Sequence, residues 1–156
     1  IVMQRLQSLQ VLMQREQQGC DQAQSALRRA DDTARGARVQ CEQLLTYRSE
    51  YTARWTAQLH QGATMHILMC YRSFMQRLDQ AVAMQTRQAE LAERQLAQAR
   101  HALLESERRV ASVRKLIERR GAEIAHAGRQ REQKQTDEQA QRMRWHSTQC
   151  DLLLPQ

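Results

Sequence analysis

The sequence predicts an all-α chain folded as a long antiparallel two-helix coiled-coil hairpin with a left-handed supercoil. Apolar residues recur at alternating steps of three and four along most of its 156 residues, the signature of helices that bury a seam against one another. Helix breakers are scarce, with 5 Gly and a single proline, Pro155, at the very end. One glycine-bearing interruption divides the periodicity, so the pattern is that of two helices joined by a turn.

The first helix, about residues 1–58, carries its seam on Val2, Leu6, Leu9, Met13, Glu16, Cys20, Ala23, Leu27, Ala30, Ala34, Ala37, Cys41, Leu44, Arg48, Tyr51 and Trp55. Glu16 and Arg48 break an otherwise apolar or small-residue row. A seven-residue repeat held over so many turns imposes supercoiling rather than a globular core.

The turn falls at about residues 59–65. Gly62 suits a left-handed helix cap and Thr64 suits the start of the next helix. The second helix, about residues 66–147, continues the step through Val82, Gln85, Ala89, Ala92, Leu96, Ala99, Leu103, Ser106, Val110, Val113, Ile117, Arg120, Ile124 and Ala127. Just after the turn, Ile67, Tyr71, Phe74, Leu78 and Val82 contain two consecutive steps of four. Such a stutter locally unwinds a supercoil. At 1.5 Å per residue the helices measure roughly 90 and 120 Å.

A short turn makes the helices antiparallel neighbours, and residues 1–156 read as one hairpin. Folding about Ala63 sets Ala30 against Leu96, Leu27 against Ala99 and Ala23 against Leu103. Large side chains thus face small ones, which permits close packing but buries less apolar area than a leucine seam. The same register leaves the chain beyond about residue 127 as a protruding single helix. The first residue is Ile1, so a few preceding residues are expected to be missing.

The chain is basic, +7 formally at neutral pH. Between Arg100 and Arg144 stand twelve Arg or Lys against seven Asp or Glu. A solvated coiled-coil face or an acidic protein partner accounts for this charge better than nucleic acid, because no stacking aromatic platform accompanies it. Phosphate-loop, dinucleotide, nucleophile-elbow and zinc-helix motifs are all missing. A two-helix rod also lacks an enclosed site in which catalysis could proceed, so no enzyme activity and no cofactor are expected. His66 with Cys70 and His146 with Cys150 share helical faces, but two ligands do not complete a zinc site, and no metal is expected. No run is long enough to cross a bilayer. Four cysteines without paired spacing suit a reducing cytosol.

Five of the six aromatics, Tyr47, Tyr51, Trp55, Tyr71 and Phe74, flank the turn. Tyr51, Trp55 and Phe74 are expected to fill the wider space made by the stutter. Tyr47, three residues beyond Leu44 and beside Arg48, falls on the flank, where an exposed ring anchors a partner.

These residues resemble the FliJ family of flagellar type III export. The resemblance rests on Leu44-Leu45-x-Tyr47-x-x-x-Tyr51, on Tyr71-x-x-Phe74-x-x-x-Leu78, and on Gln133-Lys134-x-x-Asp137-Glu138-x-Ala140-Gln141-Arg142. It spans nearly the whole chain. Stalk proteins of virulence type III secretion share the architecture and form the nearest alternative, and a basic nucleic-acid-binding coiled coil is a further one.

The resemblance implies a cytoplasmic, non-enzymatic stalk and adaptor, peripheral to the inner membrane at the flagellar base. Such proteins insert into the export ATPase hexamer, promote its assembly and activity, contact the export-gate membrane protein and escort late-substrate chaperones. By motif, the gate-binding strip here is Gln40, Leu44, Tyr47, Tyr51, Phe74, Leu78 and Ala81, while Gln85 stands where the family pattern has histidine. The periodicity, by contrast, turns Leu44, Tyr51, Phe74 and Leu78 inward. The basic open end, Arg108, Arg109, Arg114, Lys115, Arg119, Arg120, Arg129, Arg131 and Lys134, is assigned to the ATPase's central channel.

Overall fold

The computed structural model describes residues 1–153; Pro155 and its neighbours at 154 and 156 lie outside the described residues. Two helices account for almost all of it, α1 (Val2–His60) and α2 (Met65–Leu152). They pack against each other as an antiparallel helical hairpin. Packing divides the chain into two units, Gln17–Arg108 and Ile1–Glu16 with Arg109–Gln156.

The first unit contains the turn. Gln61 and Gly62 close it by donating their backbone N–H groups to the Gln58 and Leu59 carbonyls at 3.1 and 3.2 Å. Gly62 has φ of 99°, a left-handed conformation that glycine enters without the Cβ penalty. Thr64 Oγ1 then accepts a hydrogen bond from the Ile67 N–H at 3.3 Å, satisfying one of the donors that a helix start leaves open. The two residues singled out in the sequence thus end α1 and begin α2.

Away from the turn, Ala34, Ala92 and Leu96 form the buried centre, with Leu27, Ala30 and Ala37 packed against it. Leu96 is only 2 % exposed, and Leu27 and Ala30 pack against the cluster it belongs to, consistent with folding about Ala63. Close to the turn the inward face of α2 widens into doublets, with Phe74 and Met75, Ala81 and Val82, and Gln85 and Thr86 all half-buried. A straight helix drifts against a seven-residue repeat, and the stutter lets two adjacent positions share the interface. Gln85 uses this place to donate to the Ala37 carbonyl at 3.3 Å and to Gln40 Oε1 at 3.2 Å.

In the second unit Val110 and Val113 are buried, and Leu6, Leu9 and Met13 are half-buried. Every described residue from 118 to 153 is exposed. The periodic step passes through Arg120, Ile124 and Ala127, but Ile1, Val2 and Met3 beside them are themselves exposed.

Both interruptions of the α1 seam are cross-helix ion pairs. Arg48 Nε donates to Asp79 Oδ1 at 2.6 Å, and Glu16 Oε2 accepts from Arg109 Nε at 3.2 Å. A third pair joins Arg38 to Glu93. The Glu93 carboxylate, first by hydrogen bonding and then by charge, raises the Arg38 guanidinium further above its usual range. A raised value keeps this contribution intact at every pH below the ordinary arginine range and loses it only above that range, so the pair is no physiological pH switch.

Replacing Leu96 by Ala should cost about 2–5 kcal/mol, because a nearly closed site is emptied between two backbones that cannot fully collapse. Thr64→Ala should cost about 1 kcal/mol through the lost cap. Urea unfolding followed by the helical signal measures both, and an unchanged midpoint for Leu96→Ala would contradict the packing described.

Candidate partner-binding surfaces

The five aromatics near the turn form one connected cluster across the two helices. Tyr51 is its hub. Its ring centroid lies 4.3 Å from that of Phe74, 6.0 Å from Tyr47 and from Trp55, and 6.4 Å from Tyr71. Trp55 and Tyr71 stand 4.9 Å apart. Tilted and offset contacts of this kind place positive ring edges against negative faces.

The seven residues of the tip strip divide by burial. Leu78 is 7 % exposed and belongs to the core. Leu44, Tyr51, Phe74 and Ala81 are half-buried at the helix interface, as the periodicity predicts. Gln40 and Tyr47 are exposed, Tyr47 at 46 %. Tyr47 therefore combines a free face with a neighbour, Tyr51, that holds its ring in a stacked pair. A rigid, partly exposed ring is the usual form of a binding anchor.

A shallow groove follows this strip, lined by Thr33, Gly36, Ala37, Gln40, Gln85, Gln88, Leu91, Ala92 and Gln95. All nine are uncharged. The amides can exchange hydrogen bonds with a partner without the cost of stripping water from an ion.

The basic residues are all exposed. In the Gln17–Arg108 unit, Arg108 Nη1 donates to Glu105 Oε1 at 3.0 Å. In the other unit, Arg109 pairs with Glu16 and Arg120 with Glu123 at 3.4 Å. Arg114, Lys115, Arg119, Arg129, Arg131 and Lys134 form no ion pair among the described residues. Six cations on one helix thus keep their charge available to an acidic surface.

His66 Nε2 and Cys70 Sγ lie 3.9 Å apart on one turn of α2. Among the described residues no group of three or more His, Cys, Asp or Glu side chains comes together to hold a metal ion. All four cysteines are free thiols. No helix among the described residues is long and apolar enough to cross a membrane.

The exposed apolar residues that the periodicity does not single out include Met65, Leu68 and Met69 beside the turn, and Trp145 on the far part of α2. A seam pattern records what faces the partner helix and is blind to apolar residues on the outer face. For the first group a signal was present nonetheless, since no carboxylate occurs between Tyr51 and Leu78.

Taken together, these features define a helical-hairpin coiled coil whose chemistry lies in exposed side chains. The family model described as flagellar FliJ protein matches residues 4–149. The chain belongs to the FliJ family, and so to flagellar protein export. No curated protein and no solved structure matches it at a significant level.

The division of the aromatic cluster has a measurable consequence. Tyr47→Ala should leave the unfolding free energy within about 0.5 kcal/mol of the parent, as for an exposed site. Tyr51→Ala, which removes the hub ring, should cost about 3 kcal/mol. Equal losses in chemical denaturation would contradict this division.

Proposed function

We propose that this protein is a non-enzymatic stalk and adaptor of the flagellar type III export apparatus. It inserts into the export ATPase hexamer and promotes its assembly and activity, contacts the export gate, and escorts chaperones of late substrates. It works in the cytoplasm at the inner face of the membrane and adds no catalysis of its own.

The observation that carries this reading is the FliJ match over residues 4–149 on a helical hairpin. Two surfaces support the division of labour. The uncompensated cations Arg114, Lys115, Arg119, Arg129, Arg131 and Lys134 suit an acidic-lined channel, where complementary charge increases association rate and orientation more than raw affinity. Tyr47, with Gln40 and the rims of Leu44, Tyr51, Phe74 and Ala81, suits the gate. Leu78 supports the strip from below and is not itself available for contact.

Titrating the chain into its cognate export ATPase should raise ATP hydrolysis and hexamer assembly, while the chain alone hydrolyses nothing. Changing Arg129, Arg131 and Lys134 together to Gln should demand a several-fold higher concentration for the same stimulation, with the deficit shrinking at high salt. Tyr47→Ala should keep the stimulation and weaken binding to the cytoplasmic part of the gate by about tenfold or more. Absence of stimulation and of assembly at every concentration would remove the stalk reading.

A further inference from the structure

The turn region carries a surface that the gate strip leaves unused. From Tyr51 to Leu78 the sequence contains no aspartate or glutamate, although the chain holds 17. Its charges are Arg54, Arg72 and Arg77, with His60 and His66 close to the turn. None of these arginines enters an ion pair among the described residues. The carboxylates that bound the stretch are Glu50, one helical turn before Arg54, and Asp79, which is engaged by Arg48.

The same region exposes apolar side chains. Met65, Leu68 and Met69 are 74, 42 and 67 % exposed. Their spacing places them on one stripe of α2, with Arg72 a turn further along. Ile67 and Tyr71 are half-buried, so the stripe points away from the helix interface. The connecting residues 61–64 are exposed as well. A contiguous apolar patch rimmed by polar groups marks a contact surface.

We propose that this end of the hairpin docks directly on an anionic lipid bilayer. Met65, Leu68 and Met69 enter the interfacial zone, while Arg54 and Arg72 reach headgroup phosphates and Arg77 adds to the attracting field. Charge selects this occupant: a stretch free of carboxylates meets a negative surface without local repulsion, and each arginine near it increases partitioning about fivefold. Shape agrees, because an exposed turn with outward side chains is convex and suits a deformable plane. Unbranched methionines adapt to such a disordered environment, and arginine stems can lie along the apolar zone with their heads in the phosphates. Trp55 and Tyr71, in contact at the helix interface near the turn, are ring types that tolerate the boundary between water and hydrocarbon. The contact is independent of the gate reading and needs no export component.

Flotation of the full chain with phosphatidylcholine vesicles, with and without phosphatidylglycerol, tests it. The chain should float only with the anionic vesicles, and less as salt is raised. Met65→Glu with Met69→Glu should lower partitioning at least about tenfold while circular dichroism stays unchanged, and Arg54→Gln with Arg72→Gln should flatten the salt dependence. Arg28→Gln with Arg29→Gln, exposed on α1 away from the turn, should leave partitioning within about twofold. No flotation with anionic vesicles would overturn the proposal, as would equal flotation of the Met65 and Met69 variant. Failure to float combined with loss of gate binding in that variant would assign the patch to an acidic protein surface instead.

Discussion

Ala34, Ala92 and Leu96 close on one another because methyl side chains let two helix backbones come near, and the features of the Gln17–Arg108 unit are placed by that approach. No third element stands behind the pair among the described residues, so each helix buries its stripe against the other or not at all. Alanine brings the helices together but supplies little apolar area, and the single large residue of this cluster, Leu96, carries much of what is buried. That economy leaves most side chains in solvent, where they are available for contacts with other proteins.

A seam of small residues is a poor judge of register, since one alanine replaces another at little cost. The cross-helix ion pairs correct this. Being exposed, they contribute little to stability, yet they exclude alternatives. A slip of seven residues along α2 would set Arg38 against Arg100 and Glu16 against Leu116, replacing an attraction with a repulsion and exposing a charge to an apolar partner. The two positions that spoil the apolar pattern of α1 are therefore informative: Glu16 and Arg48 say where the opposite helix must lie.

Periodicity made the seam, the turn and its capping residues legible, because each depends on local spacing or on one backbone conformation. Gly62 and Thr64 are recognisable for that reason. The orientation of Tyr47, Tyr51 and Phe74 was less legible. Around a stutter the angular position of each side chain depends on accumulated drift between 3.5 and 3.6 residues per turn, and a few tens of degrees decide between core and surface. Periodicity and family resemblance therefore pointed Leu44, Tyr51, Phe74 and Leu78 in opposite directions, and the doublets near the turn show how half-burial arises from both tendencies. The end of α2 was also hard to place. Between Gly128 and Pro155 no breaker occurs, and the helix continues to Leu152, past the last motif that could be read.

The four-residue connection 61–64 between α1 and α2 also orders events in time. Partners across the interface are separated by 31 residues at Arg48 and Asp79, by 55 at Arg38 and Glu93, and by 93 at Glu16 and Arg109. Chain closure is least costly for the nearest partners and rises with the logarithm of the intervening length. Pairing accordingly zips from the glycine turn outward, each closed rung shortening the loop for the next. The side chains that close last reopen first, which makes the pairing beyond Glu16 and Arg109, around Leu6, Leu9 and Ile117, the fraying fork and the turn its latch.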